Sequence, residues 1–132
     1  MIFVDSSFWI ALTVPRDTNH ASARELLEGA GGERLLTTNH VRGESWTFLR
    51  RRAGHRVAIG FLDLLGRTRR LEVERVSGEQ EDRALRWLRR HDEREYSFVD
   101  ATSFAVMRAL RIGEAFAFDS DFTAAGFREL RP

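Results

Sequence analysis

The sequence has no cysteine, no lysine and only two prolines among its 132 residues. Without cysteine there is no disulfide framework and no thiolate metal site, which suits a reducing cytoplasm. No apolar run approaches the length needed to span a bilayer, so no membrane association is expected. The apolar start, Met1 to Val4, carries no basic leader and is broken by Asp5, so a cleaved signal peptide is not expected. Internal repeats, linkers and low-complexity stretches are absent too. The chain therefore reads as a single domain over residues 1–132, with enough apolar and aromatic side chains for one core.

What is present is arginine. All 21 basic residues are arginine, against 20 acids, for a formal net charge of +1. Genomic base composition is the ordinary explanation for missing lysines, but the physical consequence stands. If several acids are collected at one site and neutralised there, the remaining surface is positive. Guanidinium forks match phosphate geometry, so such a surface suits a phosphate-bearing polymer.

Apolar patterning predicts strands at Ile2–Val4, Arg34–Thr37, Leu71–Val76, Ala115–Phe118 and Phe127–Leu130. Helices are predicted over Ser6–Val14, His20–Glu28, Val41–Arg52, Arg56–Leu65 and Phe98–Leu110. Another follows Ser77 with Ala84, Leu85, Trp87 and Leu88 facing inward, and a short one ends at Gly126. Strands that alternate with helices throughout predict an α/β fold of three layers. A central, mainly parallel five-stranded sheet is flanked by helices. The third strand alternates in polarity and belongs near an edge.

Four carboxylates sit where apolar residues are expected. Asp5 and Asp119 each follow a short apolar strand and precede a serine and a helix. Glu44 lies one turn from Val41 and Phe48, and Asp100 shares a face with Phe104 and Met107. Each acid alone has an ordinary explanation as a helix cap or first-turn acid. Jointly that explanation is poor, because capping does not require acids at all these places. Converging carboxylates cannot all ionise unaided. A hard divalent cation resolves the conflict, and an all-oxygen donor set points to Mg²⁺, with Mn²⁺ able to substitute, rather than zinc. Asp121 is a further candidate ligand, a supporting acid or a first-turn acid of the last helix.

Four segments then carry a family resemblance. Val4-Asp5-Ser6-Ser7, Thr37-Thr38-Asn39-His40-Val41 continuing to Gly43-Glu44-Ser45-Trp46, Phe98-Val99-Asp100-Ala101-Thr102-Ser103, and Ala117-Phe118-Asp119-Ser120-Asp121-Phe122 resemble the successive motifs of PIN-domain nucleases. The likeness is to the VapC toxins of bacterial VapBC toxin–antitoxin pairs. It implies a central parallel sheet, Mg²⁺-dependent endoribonuclease activity, a homodimer and an inhibiting VapB-type antitoxin. By the same likeness Asp5, Glu44, Asp100 and Asp119 match the four acidic positions, and Ser6, Thr38, Asn39 and Thr102 are polar groups that orient them. Asp121 departs from the pattern, since many members carry a histidine there.

Three arginine clusters, Arg50–Arg52, Arg67–Arg70 and Arg89–Arg90, are either phosphate contacts or solvated helix ends. His40 reads as a loop or capping residue, and Trp9, Trp46 and Trp87 as core. Trp9 has a second possible place on a partner surface, since its neighbour Phe8 cannot face the same core direction. Two other classes compete. One is a PIN-like module that binds RNA or protein without cleaving it, which the full set of acids opposes. The other is phosphoryl chemistry at a strand-end Asp; the signalling form relies on a lysine, and the haloacid form needs a second Asp where Ser7 stands.

Overall fold

A computed structural model describes residues 1–132. In chain order the elements are β1 (Ile2–Val4), α1 (Ser6–Thr13), α2 (His20–Gly29), β2 (Leu35–Thr38), α3 (Asn39–Ala53) and α4 (His55–Arg67). Then come β3 (Leu71–Glu74), α5 (Gly78–Arg90), α6 (Phe98–Leu110), β4 (Glu114–Phe116), α7 (Asp121–Ala124) and β5 (Arg128–Glu129). No helix is long and apolar enough to cross a membrane.

The three residues of β1 are apolar and fully buried, as a strand covered on both faces must be. It lies at the centre of one all-parallel sheet with strand order β3-β2-β1-β4-β5. The chain builds outward from β1 to the edge strand β3, then crosses back to add β4 and β5 on the other side. Strand order reverses between β1 and β4. In open α/β sheets the crevice outside the carboxyl ends at such a point is where ligands bind. Asp5 and Asp119 lie just beyond those two ends.

The helices sit where their apolar faces require. Helix α6 is buried continuously from Asp100 to Met107, which fits its apolar residues on every side. Ala101 and Ala105 of α6 pack against Ala84 of α5, small residues that let the two helices approach closely. Helices α3 and α4 are joined by Gly54 alone, whose φ of +94° is open to glycine and strained for other residues. Phe8 and Trp9 are both fully buried, which removes the partner-surface alternative for Trp9. Helix α1 lies between two surfaces. Phe8 stacks on Phe116 at 4.5 Å, while Trp9 meets Phe61 of α4 edge-on at 6.1 Å. The Trp9 indole N–H also donates to Thr37 Oγ1 at 3.4 Å.

Several boundaries differ from the sequence expectations. Strand β4 stops at Phe116 rather than Phe118, because the neighbouring ladders end at Val4 and Glu129. Asp119 therefore stands on a loop three residues past the strand. Strand β3 stops at Glu74 and β5 spans only Arg128–Glu129. Leu85 and Phe48, expected inward, are 46% and 39% exposed. The buried side of α3 is set by Val41, Ser45 and Leu49, which leaves Phe48 about 100° away from Leu49.

Candidate active site

Asp5 is the N-cap of α1. Its Oδ2 accepts from the Ser7 amide at 3.2 Å and from Ser7 Oγ at 2.8 Å. Asp100 sits at the third position of α6 in a capping box with Ser97. Its Oδ2 accepts from the Ser97 amide at 3.0 Å, and the Asp100 amide donates to Ser97 Oγ at 2.9 Å. Asp119 Oδ1 accepts from the Asp121 amide at 3.2 Å. Each acid thus does the ordinary local work of a cap or turn, with one oxygen left outside those bonds.

The three carboxylates converge. One oxygen each from Asp5, Asp100 and Asp119 lies within 4.8 Å of the others. Asp5 is 1% exposed and Asp100 7%. Asp119 as a whole is exposed, yet its carboxyl lies against the other two. Asp5 Oδ1 is buried with no hydrogen-bond partner at all.

Such crowding resists ionisation. Burial pushes the Asp5 carboxyl well above its ordinary value, and the charge of Asp119 adds to this. Burial raises Asp100 to about 6, with Asp119 and Asp121 contributing repulsion. Asp119 is raised as well, by burial of its carboxyl and then by Asp121. A buried carboxylate oxygen without a donor is costly unless a cation meets it. The donor set fits a hard divalent ion, with carboxylate oxygens from three separate segments and neither sulfur nor imidazole among them.

The chain's similarities agree with this geometry. The family described as the PIN domain matches residues 2–128. The chain belongs to the PIN-domain family. It falls among the VapC-type members. The 23S rRNA-specific endonuclease VapC20 of Mycobacterium tuberculosis, in strains CDC 1551/Oshkosh and H37Rv, is 53% identical over 132 residues. That alignment covers 100% of this chain and 99% of the relative. The crystal structure of M. tuberculosis VapC20, described as a sarcin-ricin loop cleaving toxin, matches with a TM-score of 0.94 and 52% identity over 100% of both chains.

Of the five acids expected at this PIN-domain site, the structure groups three. Glu44 stands beside the group, half-buried on α3, where its Oε1 accepts from Ser6 Oγ at 2.6 Å. Ser6 directly follows Asp5, so Glu44 borders the cluster without joining it. Asp121 is outside as well. Arg94 holds its Oδ1 at 2.9 Å, which makes it a counter-charge to arginine rather than a member of the triad. The loop bearing Asp119 curls so that the Asp121 amide, not its carboxylate, faces Asp119.

The polar groups expected to orient the acids divide in the same way. Ser6 touches Glu44, as above. Thr38 caps α3 by accepting from the Val41 amide at 3.0 Å. Asn39 Oδ1 accepts from the Val76 amide at 2.9 Å and ties the start of α3 to the segment after β3. Thr102 Oγ1 donates to Val99 O at 3.0 Å and contacts His40 Nδ1 at 3.3 Å. These three shape backbone near the site and bond to none of the acids. His40 lies within the first turn of α3 and bridges α6 through Thr102 and α5 through Glu81, at 3.5 Å.

Three residues that orient the acids escaped the sequence reading: Ser97, which holds Asp100 as above, Ser7 and Glu129. Ser7 grips Asp5 and also accepts from the Phe118 amide at 3.0 Å, joining α1 to the Asp119 loop. Glu129 has a side chain only 2% exposed. It accepts from the Ser120 amide at 3.3 Å, the Thr123 amide at 2.9 Å and Arg131 at 2.9 Å. Between them Ser120 takes a left-handed φ of 68°, so Glu129 secures the turn that presents Asp119.

Proposed function

We propose that this chain is a Mg²⁺-dependent endoribonuclease and the toxin of a type II toxin–antitoxin pair. The observation that carries the reading is the triad of Asp5, Asp100 and Asp119, with a buried Asp5 oxygen that nothing in the chain satisfies. Those three carboxylates would hold the ion, with Mn²⁺ as a substitute. When bound, the ion supplies Lewis-acid polarisation of a phosphoryl oxygen and a lowered pKa for the attacking water. Ser7 and Ser97 fix the Asp5 and Asp100 carboxylates, and the Asp121 amide fixes Asp119. Glu44, half-buried and bonded to Ser6 beside the cluster, would accept the proton released by water. Attack by water leaves a 5′-phosphate and a 3′-hydroxyl.

The VapC20 relatives are described as acting on 23S rRNA at the sarcin-ricin loop, and we extend that substrate to this chain. The extension carries with it a cytoplasmic location, a homodimer and a VapB-type antitoxin partner. Induced expression followed by mapping of new RNA 5′ ends tests the proposal, with Asp5→Ala as control. New ends in 23S rRNA that require both Asp5 and Mg²⁺ support it. Equal cleavage by Asp5→Ala defeats it.

A further inference from the structure

Beside the triad lies an open cavity of about 520 Å³, within the size range of small-molecule sites. Most of its wall is one stripe of α3, running from His40 and Glu44 through Phe48 to Arg51 and Arg52. These residues recur three and four apart, so they share one helix face. Glu44 joins the cavity to the acidic cluster through Ser6. Charge along the stripe therefore changes from carboxylate to guanidinium over about 12 Å of helix.

Three features of this wall have no role in the core. Phe48 is 39% exposed, and the Arg52 guanidinium lies over its ring at 5.3 Å. At the acidic end His40 packs on Phe98, itself 41% exposed, at 5.7 Å between ring centres. Arg51 and Arg52 are exposed, and no carboxylate lies within ion-pair distance of either. Favourable interaction with the helix dipole accounts for arginines in the last turn of α3. It does not account for a phenylalanine left 39% exposed on the same stripe.

We propose that this cavity is a nucleotide subsite for single-stranded RNA flanking the scissile bond. An unstacked base lies on the Phe48 ring, and the adjoining phosphates are held by Arg51 and Arg52. The inference rests on the endoribonuclease reading and deepens it. Stacking on an aromatic face is available only to bases outside a helix, so the subsite selects loops, bulges or ends over duplex. The arginines contribute affinity with little sequence information.

The test measures binding apart from cleavage. Fluorescence anisotropy of a 5′-labelled hexaadenylate RNA is recorded with the full-length protein in EDTA. A labelled twelve-base-pair RNA duplex serves as competitor class. Phe48→Ala and Phe48→Leu should each weaken hexamer binding about five- to hundredfold, while Phe48→Trp retains it. Arg51→Gln with Arg52→Gln should lower the slope of log affinity against log salt by about 1.4. Arg24→Gln, on α2, should change neither. Circular dichroism melts confirm that each variant is folded.

Hexamer binding unaffected by both the Phe48 and the arginine variants overturns the proposal, as does absence of wild-type binding. Preference for the duplex overturns base stacking. If Phe48→Ala alters molar mass in light scattering while RNA binding stays constant, the face is a protein contact and the proposal fails. The parent reading is judged separately. Normal Mg²⁺-dependent cleavage by the Phe48 variants with unchanged KM sinks only the subsite. Subsite-dependent RNA binding without cleavage in Mg²⁺ or Mn²⁺ sinks only the enzyme.

Discussion

Asp100→Asn should make the metal-free protein more stable while abolishing its activity. Asp100 is 7% exposed, and burial with repulsion from Asp119 and Asp121 raises it to about 6, against an ordinary 3.8. A raised carboxyl favours folding when protonated. Its contribution is full below pH 4 and is lost as pH rises through 6. At pH 8 in EDTA the charge therefore works against the fold. At about 1.4 kcal/mol per pH unit, the cost is at most roughly 3 kcal/mol. Asparagine removes the charge, keeps the volume and can still accept from the Ser97 amide. For a domain of this size each kcal/mol moves Tm by roughly 3–5 °C, so the variant should melt on the order of 10 °C higher at pH 8. The advantage should shrink at pH 5, where the wild-type carboxyl is itself largely protonated. Calorimetric melts of both proteins at pH 5 and pH 8 in EDTA decide the matter. A variant less stable than wild type at pH 8, or an equal gain at both pH values, refutes the reasoning.

Other perturbations separate support of the site from the site itself. Ser7→Ala removes the 2.8 Å bond to Asp5 and the acceptor for the Phe118 amide. It should weaken Mn²⁺ affinity about 10- to 100-fold by calorimetry, with RNA affinity in EDTA unchanged. Glu129→Gln places an amide N–H where the Ser120 or Thr123 N–H needs an acceptor, and should cost about 1–3 kcal/mol in urea unfolding together with a lower kcat. Leu85→Gln, at a site 46% exposed, should alter urea stability by no more than about 0.5 kcal/mol.

The strand and helix pattern was legible because apolar periodicity and capping residues agreed along the chain. Asp5, Asp100 and Asp119 were legible for the opposite reason: each interrupts an apolar context where a cap could have been serine. Glu44 was placed on the right helix, but periodicity put it on the face of Val41. The buried side of α3 is centred on Val41, Ser45 and Leu49, so Glu44 and Phe48 lie at its margin. Leu85 faces out because α5 turns Ala84 toward Ala101 and Ala105, a close approach that no pattern within α5 announces.

Positioning residues were harder to see. Ser97 and Asp100 form a capping box at the start of α6, a local spacing that the sequence reading did not use. Ser7 acts across the crevice on a residue 111 positions away, and Glu129 acts on a turn six to nine residues back. Neither relation has a local sequence signal. Asp121 was left open between ligand, supporting acid and first-turn acid; it stands in the first turn of α7, where Arg94, from the segment before α6, takes its carboxylate.

Calorimetric titration of Mn²⁺ into the full-length protein at pH 7.5 tests the central claim most directly, run for wild type, Asp5→Asn and Asp121→Asn. Saturable binding by wild type and Asp121→Asn, with its loss in Asp5→Asn, is the predicted result. Equal binding by wild type and Asp5→Asn, or no binding by wild type, would contradict a shared cation at the ends of β1 and β4.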